Sequence, residues 1–377
     1  MEAAKIYLDY NATTPVAPEV VEVVSHSLKD LWGNPSSSHE YGFKAKEAIA
    51  KSRNELAKMI GATSHEIIFT SGGTEANNMV IESITKLYTN AHIITTTLEH
   101  PSIKQPLEHV PESISVSYIS AKEQSGCAVD VEDVISAIRP NTKLVSIMLA
   151  NNETGVIQPI REIANAVKQL NPKILVHTDA AQAIGKIPVN VNNLNVDLLT
   201  IVGHKFYGPR NGALYIRSGC KILPLMYGGN QESTLRSGTE NTPMIVGLGE
   251  AARLVNCNLK SYSTKYATVR DYMEEKLKEL PNVIINGQSD VRERLPNTCN
   301  VSFLGFNGRE ILKKCQVTLA STGAACHSSE TKVSSILLAS GIPKERAAGA
   351  VRLSIGRETT FSDIDIVVKE LKEIVSK

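Results

Sequence analysis

Cysteine is scarce in this chain, and tryptophan is nearly missing. Six cysteines and one tryptophan are spread through 377 residues. The cysteines, at positions 127, 220, 257, 299, 315 and 326, include no CxxC pair. No His/Cys cluster has zinc spacing, so no metal site is expected. Sparse, separated thiols suit a reducing compartment rather than a disulfide scaffold. Net charge is almost absent too: 40 basic side chains face 39 acidic ones. A net charge of +1 creates no global field for nucleic acid or an anionic membrane. No apolar run approaches the length of a bilayer span. The opening "MEAAKIYLDYNATTP" has no cationic region followed by an apolar stretch, and it lacks the arginines of a transit peptide. Internal repeats and low-complexity tracts are missing as well. The expectation is a cytoplasmic protein with neither nucleic acid nor membrane as a partner.

What is present is an alternation of strand and helix patterns. "EIIFT", "HIITTT", "SVSYIS", "KLVSIMLA", "KILVHT" and "DLLTIV" read as strands. Between most of them lie helical patterns such as "VEDVISAI" and "IREIANAVKQL". Apolar strands alternating with helices predict an α/β fold with a mostly parallel sheet. Beyond about residue 260 comes a long helix, "YATVRDYMEEKLKEL", then shorter elements ending in "DIDIVVKELKEIV". The expected organisation is an N-terminal arm over 1–14, a large domain over 15–260 and a smaller α+β domain over 261–377.

Ligands of open α/β sheets bind beyond the carboxyl ends of the strands. Several chemically useful residues fall there. "IIFT" ends at Ser71-Gly72-Gly73-Thr74, before a helix whose first amides can meet an anion. The bland alternative is a turn with a Ser or Thr cap. "ILVHT" ends at Asp179, either a cap for the next helix or a carboxylate aimed into a cleft. "TTTLEHPS" offers His100, "MLANNETG" offers Asn151 and Asn152, and "DLLTIVGHKFYGP" offers Lys205. A planar phosphorylated heteroaromatic aldehyde needs four things: an anion cup, a stacking ring, a carboxylate at its ring nitrogen and an amine. Ser71 to Thr74, His100, Asp179 and Lys205 supply them in turn. A poorly solvated lysine is a competent nucleophile. An ordinary solvated lysine in a turn is the competing account.

Six motifs in fixed order, "TSGGTEANN", "LANNETG", "HTDAAQAIGK", "GHKFYGPRNGALYIR", "RSGTENTP" and "STGAACHSS", carry a resemblance. Together they resemble the NifS-like group of class V pyridoxal-phosphate enzymes, which holds the cysteine desulfurases and selenocysteine lyase. The likeness runs from "YLDYNATTP" to "RLSIGRETT" and is strongest to the selenocysteine lyase branch. It implies the type I fold of pyridoxal 5'-phosphate enzymes and a homodimer. By motif position, Lys205 corresponds to the lysine that bonds the cofactor, Asp179 to the ring-nitrogen partner and Gln182 to the ring-hydroxyl partner. His100 corresponds to the stacking imidazole. Gly73, Thr74 and His204 correspond to the phosphate site, completed by Thr239 across the dimer. Asn152 and Arg352 correspond to the substrate side, Arg352 as the carboxylate binder. Cys326 corresponds to the thiol that meets the γ-selenium or γ-sulfur, and a selenium or sulfur acceptor protein is an implied partner. The implied reaction turns selenocysteine into alanine; the alternative is desulfuration of cysteine.

Two positions depart from the pattern. Val202 stands where many desulfurases have serine, so one phosphate hydrogen bond is lost or supplied by water. Pro101 follows the stacking histidine, where the lyase tends to carry an acidic residue; this argues against complete rejection of cysteine. A scaffold that kept only the fold would have lost Lys205 or Cys326. A class V aminotransferase would not need Cys326.

Overall fold

A computed structural model describes residues 4–323 and 333–376. Its centre is a seven-stranded sheet in the order β2-β8-β7-β6-β5-β3-β4. The N-terminal β1 (Ile6–Tyr7) lies outside it. The strands are β2 (Ile67–Thr70), β3 (Ala91–Thr96), β4 (Ile114–Ile119), β5 (Thr142–Ser146), β6 (Leu175–Asp179), β7 (Leu198–Val202) and β8 (Gly212–Ile216). The expected parallel sheet is there, with β8 as the exception: it runs antiparallel to both β2 and β7. The reason is chain length. The segment 203–211 is too short for the crossover that a parallel neighbour requires.

Covered on both faces, the central strands are buried and mostly apolar, with a few buried polar side chains among them. Every residue of β2, β3, β7 and β8 is buried. Buried clusters line the two faces, one around Leu199, Ile201 and Leu248, the other around Met79, Ile93 and Leu214. Helices α1 (Pro18–Asp30), α2 (Glu40–Ile60), α3 (Gly73–Leu87), α4 (Pro101–Glu108), α5 (Val131–Ser136), α6 (Ile160–Leu170) and α7 (Val191–Leu194) accompany them.

The long helix is longer than its sequence pattern suggested. α8 runs unbroken from Thr242 to Lys278, and residue 260 falls inside it. Ile245, Leu248, Ala251 and Val255 belong to the first cluster. Tyr266, Val269, Met273 and Leu277 belong to a separate one. That second cluster is built on a three-stranded antiparallel sheet of β9 (Val283–Asn286), β10 (Thr298–Phe303) and β12 (Ala350–Ser354), in the order β12-β10-β9. The N-terminal residues join the two parts. β1 pairs in parallel with β11 (Thr318–Leu319), and Ile6 and Leu8 are buried in the second cluster. Tyr10 already packs in the first.

Candidate active site

The strand tips on one edge of the large sheet surround a cavity of about 300 Å³. His100, Asn152, Asp179, Gln182, His204, Lys205 and Arg352 all line it, as do Gly73 and Thr74. Each arrives from a different place in the chain.

Lys205 ends a single helical turn, Gly203–Lys205, that follows β7 directly. Its Nζ donates to the carbonyl oxygens of Asn11 and Ala12, both at 2.8 Å. Asp179 ends β6 and serves two ends at once. Its Oδ1 accepts from Ala181 N at 2.9 Å, and its Oδ2 accepts from Asn77 Nδ2 at 2.8 Å. The cap reading therefore holds for one oxygen, although turns rather than a helix follow it.

Thr74 and Gly73 open α3. The N-cap is Gly72, and no side chain caps the helix. A Ser or Thr cap was the bland expectation; instead the first amides of the helix are left for a ligand. Gly73 has no room for a side chain, because a Cβ there would sit 2.5 Å from Val202 Cγ2. Val202 thus fills the space beside the start of α3.

His100 caps α4, its Nδ1 accepting from Ser102 N at 3.1 Å. Its ring is open to the cavity, yet desolvation by the surrounding protein pulls its pKa below the ordinary value; Asp179 opposes that shift and Lys205 adds to it. His204 is pushed down to about 4, chiefly by burial and then by the cation of Lys205. Both imidazoles are therefore neutral at neutral pH. His204 Nδ1 lies 3.0 Å from Thr13 Oγ1.

Gln182 is buried, and both ends of its amide are engaged. Nε2 donates to Asn11 O at 3.0 Å, while Oε1 accepts from Lys186 Nζ at 2.8 Å. Arg352 is 2 % exposed. Its Nη2 donates to Asp9 Oδ1 at 2.5 Å and its Nη1 to Asn152 O at 2.9 Å. Its Nε is buried with no partner among the described residues. Arg357 does not line the cavity; its guanidinium is sandwiched between Tyr207 and Tyr262, 4.0 and 3.9 Å from the ring centres.

Thr239 is exposed and lies away from this cavity within the single chain. Cys326 lies outside the described residues. The five described cysteines are free. Burial raises the thiols of Cys127 and Cys299, and pushes Cys220 up to about 11 and Cys315 up to about 12, which makes them poor thiolates.

Sequence reasoning missed Asp9, Asn11 and Lys186. The available signals were "LDYNATTP", the first segment of the family likeness, and the final lysine of "HTDAAQAIGK", to neither of which a role was given. Asn11 receives Lys205 and Gln182 on its carbonyl, and Lys186 and Asn297 on its side-chain oxygen. Lys186 is fully buried, and its pKa is drawn well below the ordinary value by burial and by the cations of Lys205 and Arg352.

Comparison with known proteins agrees with this geometry. The chain is 49% identical to a selenocysteine lyase of Rattus norvegicus, over 99% of this chain and 95% of that protein. It is 43% identical to the cysteine desulfurase IscS of Dictyoglomus turgidum, over 99% and 95% respectively. The solved structure of a NifS-like protein matches with a TM-score of 0.91 at 34% identity, covering 99% of both chains. A family match over residues 6–367 decides the membership: the chain belongs to the aminotransferase class-V family, as an enzyme dependent on pyridoxal phosphate.

Proposed function

We propose that the protein is a selenocysteine lyase, converting L-selenocysteine to L-alanine with release of reduced selenium. The observation that carries the reading is the meeting of Lys205, Asp179, His100 and Arg352 in one cavity of a chain 49% identical to a selenocysteine lyase. The residues fit pyridoxal phosphate: an uncapped helix start for the phosphate, a carboxylate for the ring nitrogen and an amine for the aldehyde. When bound, the cofactor supplies an electron sink for charge developing at the α-carbon.

Lys205 would hold the cofactor through its amine, and its Nζ would serve as the base for the α-proton. Asp179 keeps a negative charge beside the ring nitrogen. His100, Gln182 and Asn152, which line the same cavity, would bound the space for the ring. Gly73, Thr74 and His204 hold the phosphate, with Thr239 of a second copy completing that site in a homodimer. Arg352 binds the α-carboxylate through its unpartnered Nε edge, with Asp9 fixing the guanidinium. Cys326 receives the leaving atom. Selenocysteine and the Cys326 thiol then give alanine and a sulfur-bound selenol; a second thiol, oxidised to a disulfide with Cys326, releases that selenium in reduced form. A cytoplasmic acceptor protein fits the removal of that selenium.

Release of sulfur from cysteine is the second reading, favoured by Pro101 and by the likeness to IscS. A selenol is more acidic than a thiol, whose ordinary pKa is about 8.5, so selenium needs less help to leave. Alanine formation from each substrate, in wild type and Cys326→Ser, tests this. Faster turnover of selenocysteine, with cysteine turnover abolished by the substitution, is expected. Equal rates and equal losses would make the protein a desulfurase.

A further inference from the structure

Behind Asp179 and His100 runs a chain of buried polar side chains that the reaction itself does not use. Asn77, Thr200 and His177 are 0% exposed, and Ser146 is 1% exposed. Asn77 Nδ2 donates to Asp179 Oδ2 at 2.8 Å and to Ser102 Oγ at 2.9 Å. Thr200 Oγ1 donates to Asn77 Oδ1 at 2.7 Å. His177 Nε2 lies 3.1 Å from Thr200 Oγ1, and His177 Nδ1 lies 2.9 Å from Ser146 Oγ. Ser102 Oγ lies 2.8 Å from His100 Nδ1.

Proton counting gives this chain one direction. An ionised carboxylate only accepts, so Asn77 must turn its NH₂ toward Asp179 and its oxygen toward Thr200. Thr200 has a single hydroxyl proton, and it goes to Asn77. Thr200 Oγ1 must then accept from His177 Nε2–H, which leaves His177 Nδ1 to accept from Ser146. On the other branch, Ser102 Oγ accepts from Asn77, so its own proton goes to His100 Nδ1. That nitrogen also accepts from Ser102 N. The proton of neutral His100 is thereby confined to Nε2.

We propose that Asn77 is a positioning residue which, through one amide, orients the Asp179 carboxylate and, together with the Ser102 N–H, biases the tautomer of the His100 ring, and is itself held in register by Thr200, His177 and Ser146. The two groups that meet opposite parts of the cofactor ring, its nitrogen and its face, are thus set by the same side chain. The chemical consequence toward pyridoxal phosphate rests on the function proposed above; the tautomer does not.

The test uses the full-length protein as purified, labelled with ¹⁵N-histidine, and compares wild type with Ser102→Ala, Thr200→Val, Thr200→Ser and Asn77→Ala. Wild type should show His100 as a single Nε2–H tautomer. Ser102→Ala cuts only the branch to His100. Only the Ser102 N–H then holds Nδ1 as an acceptor, so the minor Nδ1–H tautomer should rise about fivefold or more, while the cofactor dissociation constant stays within about threefold of wild type because the Asp179 branch survives. Asn77→Ala cuts both branches and should also weaken cofactor binding about tenfold or more, the order expected for a lost hydrogen bond to a charged group. Thr200→Val should move both readouts part of the way, and Thr200→Ser should restore both. An unchanged Nε2–H tautomer in Ser102→Ala and Thr200→Val would overturn the proposal. So would equal loss in Thr200→Ser and Thr200→Val, which would mean a packing role only. If Asn77→Ala does not fold, the serine and threonine variants decide alone. A wild type that makes no alanine from selenocysteine would sink the proposed function and leave the tautomer result standing.

Discussion

At the scale of single residues, the site is shaped by what surrounds its charges. Glu99 shows this just before His100. It is 1% exposed; Oε1 accepts from Thr96 Oγ1 at 2.7 Å and from Met148 N at 3.0 Å, while Oε2 has no partner among the described residues. Burial pushes its pKa up to about 8. A carboxyl raised on folding contributes stability below its unfolded pKa and loses it as pH climbs through the folded value. Wild type should therefore lose stability between about pH 5 and pH 8, and Glu99→Gln should not. The measurement is Tm against pH; the gap should widen upward, reaching on the order of a few kcal/mol. A gap independent of pH would show that Glu99 is already ionised. Arg352 makes the complementary case. It is buried with one oxygen of Asp9 and one carbonyl as partners. Arg352→Ala should raise KM for the amino acid by about 2–5 kcal/mol of lost binding, and Arg352→Lys should recover little, because an ammonium cannot fork a carboxylate. An unchanged KM in steady-state assays would remove Arg352 from the substrate.

At the scale of elements, the start of α3 against the end of β7 decides how closely an anion can approach. Gly73 and Val202 touch across that junction: a Cβ at 73 would meet a branched methyl that has nowhere to swing. Gly73→Ala should destabilise by about 1–3 kcal/mol through overpacking and should lower cofactor retention. Val202→Ala added to it should recover most of both losses, since the two side chains compete for one space. Thermal unfolding and cofactor content of the two single variants and the double variant measure this; strict additivity would count against a direct clash. The motifs on strand tips were legible because strands of an α/β sheet deliver their carboxyl ends to one edge. β8 was missed as an independent strand, and its reversed direction follows from a short connection rather than from any residue pattern. The start of α8 was missed because Thr242–Lys278 serves two cores in succession, so no single apolar stripe runs through it.

At the scale of the molecule, Thr239 lies on the surface, away from the cavity of its own chain. It is carried beyond a segment that is held firmly: Glu232, Ser233 and Thr234 all have positive φ, and Arg53 grips Glu232 with two nitrogens at 2.7 and 2.5 Å. If Thr239 completes the phosphate site of a second copy, inactive Lys205→Ala and Thr239→Ala subunits should complement each other. Mixed, they should regain up to about a quarter of wild-type sites, the value for random pairing with one intact site per mixed dimer. Cofactor content and alanine formation after mixing check this; a fully active monomer in sedimentation would refute the shared site.

The sequence alone determined the α/β class and the mostly parallel sheet, and it singled out the strand-tip residues that line the cavity. Strand periodicity and strand-end chemistry are local, and "GHKFYGP" or "HTDAAQ" carries its meaning within a few residues. Only the tertiary structure decided what those residues face. Asp9 and Asn11 reach Arg352 and Lys205 from the other end of the chain. Asn77 reaches Asp179 across 102 positions, and Thr200 reaches Asn77 across 123. Hydrogen-bond direction, desolvation and the tautomer of a ring depend on neighbours in space. No spacing along the chain encodes them, because the chain must first close its sheet before those neighbours exist.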